Sequence, residues 1–486
     1  MQIQNSVSKQ SVEDFRAAVA GSFDTQGAVL LNLIEALAVG PRPGAPVEVS
    51  LSAVFGYGHD SLYQALRRAA EALGEKIDSE DWLLELRKAR LAWLAVPPPS
   101  PLRADLGAWK IRILDASNHS RPQVKTVRVG YVHGADGMKP GQGLSLLAER
   151  VGEGSWTLPL EITWMPPETG PTSLGAQQIE SFVAAHSWPA EDVLDVDSPY
   201  TVRPFLERVI AAGVNVLGRV RNNRCFYLPV EESQGFGRPA RLGAKFKLND
   251  PTTHSPAEAT ESWELATGGR ITASCWSEVR QKGWACQPLT LYRVIEYGAD
   301  GQPRYKRPLW LLFATGHPCV DVPVPAVMAP TSCEAEPVAV VAPTPAPVEP
   351  VQIVPPTPRQ AEAIYDERFS IEHAIRFSKQ ELGLVSGQFN SIAAEGREQT
   401  WVELVATAYW LLWVLREVVD EQAATWPAWW RSRKLTPGAM RRLAAGLFIE
   451  LGWSKPTVKP RGKSPGRAVG ATQTPRPRFK VHRAEV

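Results

Sequence analysis

Between residues 105 and 221 the chain reads as strands in succession, then as helix, strand, helix and strand. That order constrains the fold more than any other feature. Residues 109–115 (WKIRILD) alternate apolar and polar and end in an aspartate. Residues 125–133 (KTVRVGYVH) and 156–164 (WTLPLEITW) are the second and third strands. The stretch between them, GADGMKPGQG at 134–143, reads as a glycine-rich loop. It lacks the Lys-Ser/Thr ending of a phosphate cradle and is not read as one. A helix at 173–186, a short apolar strand at 192–197 that ends in acids, a helix at 202–212 and a strand at 214–221 complete the segment.

Three strands followed by alternation is the order of an RNase H-like core, in which the first and fourth strands lie side by side. Asp115 and Asp197 then end neighbouring strands, with Asp195 as the alternative to Asp197. Two carboxylates brought close repel each other unless cations separate them. A pair of Mg²⁺ ions about 3.5–4 Å apart is the usual arrangement for cutting phosphodiesters.

A second stretch supplies a third acid. Residues 365–379, YDERFSIEHAIRFSK, place Tyr365, Arg368, Glu372 and Lys379 at gaps of two, three and six residues. On a continuous helix these four fall within about 60° of one another. Ile364, Ile371, Ile375 and Leu382 form an adjoining apolar stripe that seats the helix, and Gly383 follows as its C-cap. Cations flanking one carboxylate suit a phosphodiester held beside a metal. The same pattern also serves as a solvated face of i,i+4 ion pairs.

The spacing Y-(2)-R-(3)-E-(6)-K resembles the signature of IS4-type DDE transposases. LDASNHSRP around Asp115, and LDVDSPYTVRPFLERV with the later GRVRNNR around Asp197, resemble the two acid motifs of that group. The second acid there precedes a tyrosine by three residues, as Asp197 precedes Tyr200. The resemblance spans roughly residues 105–390. It implies an α/β fold: an RNase H-like catalytic core with a β-rich insertion, flanked by helical N-terminal and C-terminal regions. It implies that Asp115, Asp197 and Glu372 are catalytic and hold two Mg²⁺ ions, with Mn²⁺ able to substitute. Tyr365, Arg368 and Lys379 are implied to grip DNA phosphates. The implied partners are double-stranded DNA, as transposon ends and as target, and a second copy of the chain on that DNA. The implied reactions are strand cleavage at element ends and 3′-OH strand transfer. The alternatives are an RNase H-like nuclease that does not join strands and a catalytically decayed DNA-binding regulator.

The remaining organisation follows from composition. Residues 1–100 are helical at 11–20, 27–38, 59–73 and 80–94, with Ser11 and Asp60 as caps, and serve as a DNA-binding or packing domain. VPPPSP at 96–101 ends them. After the first part of the core (105–221), residues 222–316 hold short strands at CFYLPV, GAKFKLN, SWELAT, LTLYRVIEY and RPLWLLFATG. The resemblance implies that this insertion shapes a hairpin or flipped-base pocket, with Trp276, Trp284 or Trp310 as the stacking residue. Arg219, Arg221, Arg224, Lys245, Lys247, Arg304, Lys306 and Arg307 are candidates for a phosphate track. Residues 317–360 are a Pro/Ala/Val-rich linker. Residues 361–390 complete the core, and 391–453 are helical, including a long apolar helix at 398–420 and another at 437–451. Trp426, Trp429 and Trp430 are placed beside the long helix. Residues 454–486 form a basic disordered tail, with nine lysines and arginines against Glu485 alone, suited to DNA phosphates or to solubility.

Five cysteines without a CxxC pair argue against a disulfide framework or a zinc knuckle. No apolar run approaches about 18 residues, so no membrane span is expected, and the N-terminus lacks a signal-peptide core. The expected setting is cytoplasmic and nucleoid-associated.

Overall fold

The chain is described by a computed structural model covering residues 7–74, 82–95, 103–121, 129–134, 137–152, 154–230, 241–316, 353–387, 395–423, 435–453 and 470. It is a mixed α/β protein that divides into two units. The first comprises Met1–Phe182 with Asp366–Val486, and the second is Val183–Tyr365.

In the first unit one long strand organises four. Strand β3 (Gly137–Arg150) pairs antiparallel with β1 (Lys110–Ser120), β2 (Gly130–Gly134) and β4 (Thr157–Met165). Of the stretch read as a glycine-rich loop, Gly134 ends β2 and residues 137–143 are the first half of β3. Its glycines serve close strand approach rather than loop freedom. A Cβ at Gly141 would run into the His119 carbonyl and the Val132 side chain, and one at Gly143 would press on Met165. Only Gly137, at φ 98°, uses glycine's conformational range.

Helices α1 (Val7–Gly21), α2 (Gly27–Val39), α3 (Pro46–Val49), α4 (His59–Gly74) and α5 (Trp82–Leu91) carry the N-terminal region. The expected caps differ: α1 begins four residues ahead of Ser11, and Asp60 sits inside the first turn of α4. Helices α1, α2 and α4, with strand β4, pack on α10 (Glu395–Ala423), whose central residues are buried on every side. That apolar helix carries charge inward. Glu403 is fully buried, yet it receives Arg90 Nη2 and Arg87 Nη2, each at 2.7 Å. Burial opposes its ionisation, but the two guanidinium groups outweigh that and hold its carboxyl below the ordinary value. Trp410 Nε1 donates to the Pro159 carbonyl at 2.7 Å, tying α10 to β4. No helix among the described residues is long and apolar enough to cross a membrane.

In the second unit, β5 (Asp192–Val196) and β6 (Asn215–Val220) are parallel, as a strand–helix–strand unit through α7 (Arg203–Ala211) requires. Helix α6 (Pro171–Ala185) precedes them, bridging from the first unit in sequence. The sheet continues antiparallel from β6 through β12 (Leu309–Ala314), β11 (Trp284–Tyr297), β10 (Arg270–Gln281), β7 (Cys225–Tyr227) and β8 (Lys245–Lys247). Strand β9 (Ala259–Glu264) also lies on β10. Strand β10 was not foreseen. A bulge at Glu278, at φ 56°, breaks its alternation and shifts the register past Trp276.

The expected single helix over 365–379 is two: α8 (Pro358–Glu367) and α9 (Ser370–Gln380). Across the junction Ile371 N bonds to Arg368 O and Glu372 N to Phe369 O, both i to i+3, so the α-helical ladder restarts. Arg368 turns inward there while Phe369 stays 48 % exposed. Gly383, at φ 74°, ends the second helix as expected. Helix α11 (Pro437–Glu450) starts on Thr436, whose Oγ1 accepts from Ala439 N. The linker up to residue 352, the Trp426–Trp430 cluster and the basic tail, apart from Gly470, lie outside the described residues.

Glu403→Ala would leave Arg90 buried without its carboxylate. The expected loss is about 3–5 kcal/mol, read as a lower urea midpoint for the first unit.

Candidate active site

Four of the six residues singled out from sequence come together within the first unit: Asp115 on β1, Arg368 in the turn before α9, and Glu372 and Lys379 on α9. Asp115, expected to end its strand, sits mid-strand because β1 goes on pairing with β3 as far as Ser120; it is half-buried, and its Oδ1 accepts from Ala116 N at 2.8 Å. Glu372 occupies the first turn of α9, half-exposed. The guanidinium of Arg368 lies between them. Its Nη1 is 3.8 Å from Asp115 Oδ2 and its Nη2 3.8 Å from Glu372 Oε1, while its side chain is only 6 % exposed. Phe369 caps this arrangement, with Arg368 Cζ 4.7 Å from its ring centroid.

Lys379 completes the group, two turns along α9 from Glu372. Its Nζ donates to Ser117 Oγ and to the Asn118 carbonyl, each at 2.8 Å. Ser117 shares a face of β1 with Asp115, since strand side chains alternate. Lys379 thus pins the helix bearing one acid to the strand bearing the other. Burial lowers its pKa to about 8. Further along β1, burial together with Lys379 and Arg121 lowers the His119 pKa to about 4, so that imidazole is neutral at ordinary pH.

The other two candidates belong to the second unit. Asp197 follows β5, half-buried, and its Oδ1 accepts no hydrogen bond among the described residues. Asp195, the alternative, is fully enclosed inside β5 opposite Leu217 and has no solvent access. Tyr365 lies on α8, 4 % exposed.

Among the described residues, no group of three or more His, Cys, Asp and Glu side chains stands close enough to hold a metal ion. The chemistry of Asp115 and Glu372 nevertheless suits a hard divalent cation. Both offer carboxylate oxygens, and both turn toward one shared positive charge, that of Arg368.

The second unit also encloses a cavity of about 550 Å³ lined by Asn222, His254, Arg293, Lys306, Arg307 and Trp310, among others. Asn222 Oδ1, His254 Nδ1, Arg293 Nε and Trp310 Nε1 are buried there without a hydrogen-bond partner among the described residues. The His254 ring stacks on Phe246, with centroids 4.3 Å apart and an interplanar angle of 13°. Trp310 lies 5.3 Å from His254 and 5.6 Å from Trp276. His254 Nε2 faces the Lys247 carbonyl at 2.8 Å and so carries the proton, leaving Nδ1 as an acceptor. Of the expected phosphate track, only Lys306 and Arg307 line this cavity. Lys247 and Arg304 pair with Asp250 and Glu296 instead. Asn222 falls in GRVRNNR and Arg293 in LTLYRVIEY, but nothing local marks them as meeting His254, because separate strands and turns deliver the three.

No family model and no curated protein matches the chain. One solved structure that does match is the piggyBac transposase synaptic complex with hairpin DNA. It has a TM-score of 0.34 and 9 % identity, and covers 96 % of this chain and 79 % of that one. A likeness that loose defines neither the fold nor the activity.

Lys379 gives a pH dependence with a definite sign. Its pKa falls from an ordinary 10.5 to about 8, so between those values the unfolded chain binds the extra proton. Stability therefore gains from this group as pH rises from about 8 to 10.5. Lys379→Gln should remove that component, seen as a flatter pH dependence of the urea midpoint than in the parent protein.

Proposed function

We propose that the chain is a DNA transposase of the DDE type. The observation that carries this reading is the guanidinium of Arg368 between Asp115 and Glu372, on a helix that Lys379 ties to β1. The spacing of Tyr365, Arg368, Glu372 and Lys379 supports it independently.

On this reading Asp115 and Glu372, with Asp197 as third ligand, hold two Mg²⁺ ions or Mn²⁺ in their place. The bound ions supply activation of a water or 3′-hydroxyl and stabilisation of the departing 3′-oxygen. Arg368 and Lys379 take phosphate oxygens next to the scissile bond, with Tyr365 as the third phosphate contact. Lys379 is protonated below about pH 8 and so is cationic where it meets DNA. Phosphate bonded to it favours the charged form further. Trp276, Trp284 and Trp310 are all buried, so none offers an open ring face to an unpaired base, and the stacking role is not assigned to them. Cutting two ends together calls for a dimer on DNA.

The test uses purified protein, Mg²⁺ and a plasmid carrying the ends of its own element. Asp115→Asn, Asp197→Asn and Glu372→Gln should each lower nicking more than ~100-fold while DNA binding persists. Undiminished nicking in any of them removes that residue from the site. Products joined to a second plasmid distinguish transposition from plain hydrolysis.

A further inference from the structure

The first unit contains a second cavity, about 790 Å³, that the candidate active site does not use. Its walls are the far flank of α9 with His373, Arg376 and Gln380, and the first turns of α11 with Arg441 and Arg442. Glu381 is the one acid lining it, and Arg441 neutralises that acid at 2.9 Å. Arg441 also donates to the Gly40 carbonyl at 2.7 Å, fixing α11 against the end of α2. Arg376 and Arg442 are different. Both are exposed, and neither has an ion-pair partner among the described residues. The Arg442 guanidinium folds over the start of α11, with Nη1 3.7 Å from where a Gly438 Cβ would stand.

We infer that this cleft is a second phosphodiester-binding site, which takes the DNA strand as it leaves the carboxylates. The inference rests on the DNA reading above and extends it to residues outside the signature. Arg376 follows Glu372 by four residues, about 6 Å along the same helix. Phosphates of one DNA strand recur about every 3.4 Å along the axis. A strand with its scissile phosphate at Glu372 therefore brings a phosphate one or two nucleotides away to Arg376. Arg442 on the opposite wall takes the next. Guanidinium groups suit this because their fork matches two phosphate oxygens at once. His373 and Gln380 add hydrogen-bonding edges without opposing charge.

The experiment measures anisotropy of a fluorescein-labelled random-sequence duplex over a series of KCl concentrations. It compares the parent, the Arg376→Ala/Arg442→Ala double variant and the Arg376→Lys/Arg442→Lys double variant. Each phosphate contact contributes about 0.9 to the slope of log affinity against log salt. The alanine double variant should be shallower by about two units, and the lysine variant should keep most of the slope. Both side chains are exposed, so the thermal melt should not move, and an unchanged melt separates lost contacts from lost fold. A slope unchanged in the alanine variant, with acid-dependent nicking intact, overturns this site alone. A parent protein that binds no DNA overturns the transposase reading and this one with it. Polyglutamate binding as tight as DNA, and equally weakened by the substitutions, would mark an indiscriminate anion cleft and overturn the strand assignment.

Discussion

Two carboxylates approaching one another need a positive charge between them, and in the first unit Arg368 supplies it. The organisation around the site follows from that requirement. The arginine is enclosed where α8 gives way to α9, so the helix restarts at Ser370 and presents Glu372 in its first turn. Lys379, two turns on, fastens α9 to the same strand that carries Asp115. On the reading proposed above, a divalent ion at these oxygens would compete with the Arg368 guanidinium. The acids are thus held ready without facing each other bare.

The scaffold beneath repeats this logic. The apolar helix α10 accepts buried guanidinium groups at Glu403, and Arg121 reaches Glu398 at 3.0 Å. Each buried charge is matched, which is the condition for carrying charge inside a core. In the second unit the cavity around Trp310 is the reverse case. Its donors and acceptors are enclosed without partners, and such groups are costly unless something fills the space.

Much of the element order was legible along the chain. The helices at Gly27–Val39, His59–Gly74 and Arg203–Ala211 and the strands at Thr157–Met165 and Asn215–Val220 follow from apolar periodicity. Failures cluster where tertiary contacts override local signals. Gly141 and Gly143 read as a loop because glycine favours turns, yet β3 needs them so that neighbouring strands can approach. Strand β10 was hidden by the bulge at Glu278. One helix became two at Arg368, whose guanidinium also reaches Asp115, a neighbour that the local sequence cannot reveal.

By itself the sequence determined most of the order of helices and strands, because period and spacing are local properties of the backbone. It marked Asp115, Arg368, Glu372 and Lys379 as a group worth attention. Only the tertiary structure decided that Arg368 stands between two acids, that Lys379 bonds to Ser117 and that Asp195 is sealed inside its strand. It alone brought Asn222, His254, Arg293 and Trp310 around one cavity and set Arg376 opposite Arg442. Those arrangements depend on packing between segments far apart in the chain, and no local pattern of residues encodes such a meeting.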